Sequence, residues 1–142
     1  MKKIIVVLSS VLFIPLYACS GSTDANATTQ ELAQQEEVIV DVTVEQFKNL
    51  LIEQGGTILD VRTPEEWAEG IIPNAEKINY HGGDFENQIE KLDKTKPIFV
   101  YCRSGRRSAN AANVLKGKGF VKIYNLDDGI IGWVNAGNET AK

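Results

Sequence analysis

The chain has 142 residues, 43% of them hydrophobic and 24% charged, with a formal net charge of −4 at pH 7. That length holds one ordinary domain and excludes a string of several. The acidic balance argues against a nucleic-acid track, and two cysteines, Cys19 and Cys102, are too few for a disulfide framework.

Lys2 and Lys3 precede an apolar run over residues 4–18, which Ser9, Ser10 and Pro15 interrupt. A charged start before an apolar stretch too short and too broken for a comfortable membrane span predicts an export signal over residues 1–18. The run closes on Leu16-Tyr17-Ala18-Cys19-Ser20, which resembles the bacterial lipobox, with Tyr17 bulkier than usual at its place. The resemblance implies that Cys19 becomes the first mature residue and carries lipid. The protein would then sit in the bacterial cell envelope on the periplasmic side, and Ser20 favours the outer membrane where there is one. An ordinary secretory signal cleaved nearby is the other reading. Losing residues 1–18 removes two lysines and no acid, so the charge moves from −4 to −6. Residues 19–37 are polar and nearly free of large apolar side chains, so they predict a flexible tether. As a random coil it spans about 23 Å. A short helix over residues 30–37 is compatible with it. The domain proper is expected over residues 38–137, with a tail at 138–142.

Within the domain, strand and helix signals alternate. Residues 38–42 predict a strand. Thr43 caps a helix, with Gln46 at the capping-box position and Val42 placed to staple against Phe47. Val44, Phe47, Leu50 and Leu51 form its apolar stripe, and Gly55-Gly56 ends it. Residues 57–61 predict a second strand. Pro64 opens a short helix whose positive end suits Glu65 and Glu66, and Gly70 closes it. A third strand is expected near residues 76–79, and Phe85, Ile89 and Leu92 have helical spacing. Residues 97–101 predict a buried strand. The helix over 108–118 buries Ala111, Val114 and Leu115 and stops at Gly119. Residues 122–126 predict the fifth strand, and Ile130, Trp133 and Val134 mark a last short helix. The fold class is α/β, a mostly parallel five-stranded sheet with helices on both faces. Function in such folds gathers at the carboxyl ends of strands, where Asp60-Val61-Arg62 and Cys102 both lie.

Cys102 stands between a strand end and a helix start, in the run Tyr101-Cys102-Arg103-Ser104-Gly105-Arg106-Arg107-Ser108. The orphan N–H groups and positive end of the following helix favour thiolate over thiol, as do three nearby guanidinium groups. The thiolate is the nucleophile, and such surroundings lower a thiol from ~8.5 to roughly 3.5–7.5. A structural cysteine would instead have apolar neighbours. With Cys19 acylated, Cys102 has no intrachain partner, and a leftover thiol in an exported protein signals reactivity. No Cys-x-x-Cys pair is present, so a dithiol mechanism has no support. His81, beside Gly82-Gly83, reads as a loop residue and not as a base. Glu65, Glu66, Glu69, Asp127 and Asp128 read as solvated faces or caps, Trp67 and Trp133 as core or rim packing, and Tyr101 as part of its strand.

From residue 38 to residue 137 the chain resembles the single-domain rhodaneses, a sulfurtransferase family. The resemblance rests on Asp60-Val61-Arg62, Glu66-Trp67, Gly70-Ile71-Ile72-Pro73-Asn74-Ala75, the Cys102 loop, and Asn125-Leu126-Asp127-Asp128-Gly129 with Trp133. Three positions depart from the family pattern: Ile71 replaces a usual histidine, Asn74 a glycine, and Asp128 one of two glycines before the last helix. Asn tolerates positive φ, so the turn at Asn74 is expected to survive. The resemblance implies transfer of a sulfane sulfur through a Cys102 persulfide, with thiosulfate, a persulfide or a polysulfide as donor and a thiol or cyanide as acceptor. It implies a backbone cradle over residues 103–107 and anion attraction by Arg106 and Arg107. Arg103, Ser104, Gly105 and Ser108 complete the loop, Asp60 orders it and Arg62 lines its entrance. No metal or organic cofactor is implied. A monomer is expected, with a protein persulfide as a conceivable partner. Cysteine phosphatases and arsenate reductases use Cys-x5-Arg, one residue longer than the Cys-x4-Arg that ends at Arg107. A tethered carrier that holds persulfide without turnover is the reading from a different class.

Overall fold

The computed structural model describes residues 38–142, so the expected signal segment, the tether and Cys19 lie outside the described residues. Five strands form one sheet: β1 (Ile39–Val42), β2 (Thr57–Asp60), β3 (Glu76–Lys77), β4 (Ile98–Tyr101) and β5 (Ile123–Leu126). Their order across the sheet is β1-β5-β4-β2-β3 and every neighbouring pair is parallel. The helices are α1 (Val44–Gln54), α2 (Pro64–Glu69), α3 (Phe85–Ile89), α4 (Arg106–Gly117) and α5 (Gly129–Asn135). β3 is shorter than its sequence suggests, and Leu92 falls beyond α3.

Period-two alternation decides what each face of the sheet receives. Along β4, Ile98, Val100 and Cys102 enter one core with Phe85 and Ile89 of α3 and with Ala111, Ala112 and Leu115 of α4. Phe99 and Tyr101 enter the other, with Phe47 of α1 and Ile130 and Trp133 of α5. Edge-to-face contacts join Phe47 to Phe99 at 5.2 Å and to Trp133 at 6.3 Å between ring centres. Such pairs add ~0.5–1.5 kcal/mol each to their area burial. Central β4 is buried on both faces, as a parallel sheet covered on both sides requires.

The local signals operate as expected at both ends of α1. Thr43 and Gln46 form the capping box, Thr43 N–H donating to Gln46 Oε1 at 3.0 Å and Gln46 N–H to Thr43 Oγ1 at 3.3 Å. Asn74 has φ 64°, so the asparagine keeps the left-handed turn. The chain beyond Gly137 is bound to the domain. Ile71 and Ala141 exchange two backbone hydrogen bonds of 2.8 Å, and Trp133 Nε1–H donates to Glu139 O at 2.8 Å. The domain therefore continues past the expected boundary at 137.

Candidate active site

Cys102 follows the last residue of β4, and the loop 103–105 leads directly into α4. Its side chain lies on the α4 face and the residue is 1% exposed. Burial is the largest single influence on the thiol and pushes its pKa up. The Ser108 hydroxyl and the backbone N–H groups of Ser108, Ser104 and Arg107 all donate toward Sγ, and together they outweigh burial and bring the thiol below its ordinary value. The cradle therefore reaches Ser108, one residue beyond the expected span, and closes on Sγ itself. The Ser108 oxygen lies 3.5 Å from Sγ and 2.8 Å from Gly105 O. Its single proton serves one of them at a time.

A second turn holds the loop in this shape. Gly105 has φ 84°, and a Cβ there would lie 1.8 Å from Asp127 O. Gly129 has φ 56°, and a Cβ there would lie 2.6 Å from Cys102 O. The backbones of the two turns thus pack against each other with no room for a side chain. Ile130 N–H donates to Cys102 O at 2.9 Å and Ile131 N–H to Arg103 O at 3.2 Å. With those carbonyls bound outward, the loop's amides are free to turn toward sulfur. Asp128 is exposed and fits because residue 132 is glycine: a Cβ at Gly132 would lie 2.3 Å from Asp128 Cβ. Asp128, Glu45, Ser104 and Ile131 line a cleft of about 730 Å³ beside the loop, so the departure at Asp128 places a carboxylate on this rim.

The arginines divide into three kinds. Arg103 and Arg106 are exposed, and neither guanidinium has a partner among the described residues. Arg107 is half-buried and bidentate to Glu66, at 2.7 and 2.6 Å. Its charge also acts on the Cys102 thiol. Arg107, expected to attract anions, thus carries a charge already paired with Glu66. Glu66, expected on a solvated face, closes this pair and also accepts from Thr63 N–H at 3.0 Å. Arg107 holds its carboxyl at about 2, well below the usual range, against an opposing push from burial.

Arg62, expected at the entrance, is 2% exposed and lines a cleft with Gly70, Ile130 and Ile131. Its guanidinium donates to Asp60 at 2.7–3.0 Å and to Gly70 O at 2.6 Å. Asp60 also accepts from Tyr101 Oη–H at 2.5 Å, while Tyr101 Oη accepts from Ile72 N–H at 2.9 Å. Asp60 therefore orders the ends of β2 and β4 and the turn after Gly70, and it acts on the cysteine loop only through that frame. Sequence reasoning missed Tyr101, Glu66 and the Gly129–Ile130 turn as supports. His81 is an exposed loop residue, with its N–H on Asn79 Oδ1 at 3.0 Å. Among the described residues no group of three or more His, Cys, Asp or Glu side chains is placed to hold a metal ion.

The Rhodanese-like domain family matches residues 43–136. A "Sulfurtransferase" of Allochromatium vinosum is 31% identical over 114 residues, covering 80% of this chain and 88% of the relative. The "Putative sulfurtransferase YtwF" of Bacillus subtilis is 43% identical over 76 residues, covering 54% of this chain and 71% of that protein. The crystal structure of a rhodanese-like domain protein from Staphylococcus aureus superposes with a TM-score of 0.61 at 31% identity, covering 72% of this chain and 98% of that one. The chain therefore belongs to the rhodanese-like domain family, and its relatives include sulfurtransferases.

Proposed function

We propose that the protein moves a sulfane sulfur from a thiosulfate-like, persulfide or polysulfide donor to a thiophilic acceptor through a persulfide on Cys102. The observation that carries this reading is a buried Sγ at the β4–α4 turn, with the Ser108 hydroxyl 3.5 Å away and the backbone N–H groups of Ser104, Arg107 and Ser108 favouring its thiolate. Such a cradle stabilises sulfur as an anion without a general base, and a thiolate needs none. In the first displacement the Cys102 thiolate attacks the outer sulfur of the donor. The donor's S–S bond breaks, and sulfite or a thiolate leaves with the electron pair. The product is Cys102–S–S⁻, whose terminal sulfur carries the charge. In the second, a thiolate or cyanide attacks that terminal sulfur, and Cys102 departs as thiolate. No net oxidant is required, and ping-pong kinetics are expected.

Cys19 is proposed as the lipid attachment point, with the tether placing the domain on the outer side of the membrane. Each buried methylene contributes ~0.8 kcal/mol, so several acyl chains hold firmly. Intact-mass analysis of protein from its native membrane tests this. A mature chain beginning at an unmodified residue other than 19 would end it. The transfer reading is tested by incubating the chain with thiosulfate, then with cyanide. Gain of one sulfur on Cys102, followed by repeated release of thiocyanate, supports an enzyme. A single stoichiometric gain without repeated release marks the chain as a carrier. No gain from thiosulfate, persulfide or polysulfide overturns both.

A further inference from the structure

We infer that Glu66 sets the donor preference of Cys102, by holding Arg107 as a charge-neutral latch at the mouth of the sulfur loop; this deepens the transfer reading and rests on it. The two side chains are 41 residues apart and join α2 to α4. Both oxygens of Glu66 are engaged by the two terminal nitrogens of Arg107, and the side chains are 22% and 21% exposed, so the pair lies at the rim. Arg107 is the second residue of α4, directly after the loop that Cys102 opens, and its charge acts on a thiol whose residue is 1% exposed. A donor approaching Sγ therefore encounters Arg107, and encounters it already neutralised. Arg62 is less available, because Asp60 and Gly70 O engage Nε and Nη2 of its guanidinium. Glu66 itself is fixed by Thr63 N–H. An anionic donor must compete with the Glu66 carboxylate for the fork of Arg107. A neutral sulfane donor has no such competition. Arg103 and Arg106 stay unpaired at the loop among the described residues, so the latch lowers the pull on dianions relative to a free Arg107 and leaves neutral donors unaffected.

The test uses alkylation of the full chain by iodoacetate, an anion, and iodoacetamide, its neutral counterpart, at one fixed pH. Both consume the same thiolate, so the ratio of their rates cancels any change in thiol ionisation. Glu66→Gln keeps an oxygen for Thr63 N–H and leaves the rim one charge more positive. Its iodoacetate/iodoacetamide ratio is expected to rise about threefold to tenfold, the scale of one unit charge at short range near a surface. Arg107→Ala leaves Glu66 unpaired beside the sulfur, and its ratio is expected to fall by a similar factor. The double variant restores neutrality and is expected near wild type. Equal ratios in all four proteins overturn the latch, and so does a double variant that tracks Arg107→Ala. If Glu66→Gln does not fold, Arg107→Ala decides alone, and an unchanged ratio overturns the proposal. Alkylation needs no sulfur transfer, so failure here is separate from failure of persulfide formation with every donor.

Discussion

Tyr101 and Cys102 are adjacent in the chain, both are buried, and their environments push them in opposite directions. Burial raises the Tyr101 phenol, the Asp60 carboxylate beside it raises it further, and the group stays a neutral donor. Burial also raises the Cys102 thiol, but four hydrogen-bond donors reverse the outcome. Depth alone therefore does not decide reactivity. The sign of the nearest polar groups does, and the strand's alternation sends one residue to a carboxylate and the other to a nest of amides. One side is a frame whose phenol is held neutral, and the other is a site where the thiolate is favoured.

The largest test of that contrast removes the sulfur. Cys102→Ser is expected to reduce transfer to background, because a serine hydroxyl has no adjacent base and stays protonated. The midpoint of thermal unfolding should stay close to wild type, since the swap is nearly isosteric. Turnover of thiocyanate checks the first point, and a melting curve checks the second. Substantial turnover in the variant would remove Cys102 from the mechanism.

Damage to the frame should show in stability before it shows in chemistry. Asp60→Ala strands the buried Arg62 guanidinium and is expected to cost about 3–5 kcal/mol in denaturant unfolding. Gly105→Ala forces a side chain to within 1.8 Å of Asp127 O at a left-handed φ, and should lose both stability and transfer. Tyr101→Phe loses the hydrogen bonds to Asp60 and from Ile72 N–H, and is expected to cost about 1–3 kcal/mol. It should leave the pH profile of Cys102 alkylation in place. A shifted profile would show that the two faces of β4 are coupled.

The site side is probed more gently by Ser108→Ala. Loss of the hydroxyl removes a donor to the thiolate, so the thiol should titrate higher. Alkylation at mildly acidic pH is expected to slow about twofold to tenfold. An unchanged rate would mean that the Ser108 proton rests on Gly105 O in both ionisation states.

What was legible in the sequence was local. The capping box of α1, the strand-to-helix turn at Cys102 and the left-handed asparagine each depend on residues within a few positions of one another. The alternation of elements gave the five-stranded sheet, because parallel strands need helical crossovers. Pairings across distance were not legible. Arg62 reads as an entrance cation from Asp60-Val61-Arg62 alone. Only packing shows its guanidinium turned inward, onto a carboxylate two residues away and a carbonyl eight residues away. Glu66 reads as a helix cap, and it is one, but nothing in the order of residues reports Arg107 waiting 41 positions later. The support from Ile130 N–H to Cys102 O is a backbone contact and leaves no trace in side-chain type. The glycines that permit it, Gly105 and Gly129, were the readable signal.

The smallest expected effect concerns the rim pair and acid. The Glu66 carboxyl is held at about 2 in the folded chain, against 4.5 for an ordinary glutamate. A carboxyl depressed in the folded state contributes stability that is present above the unfolded value and lost as pH falls through the folded one. The contribution should therefore be complete above pH 4.5 and drain away as pH approaches 2. Arg107 stays charged throughout, so the loss follows protonation of Glu66 alone. Because the pair is at the rim, water and salt screen it, and the expected size is under about 1 kcal/mol. Urea unfolding of wild type and Glu66→Gln at about pH 6 and about pH 3 isolates it, since glutamine cannot titrate. The gap between the two proteins should narrow at the lower pH and narrow further in added salt. A gap that stays constant would mean that Arg107 grips the two side chains equally, and that the charge of Glu66 contributes nothing at the rim.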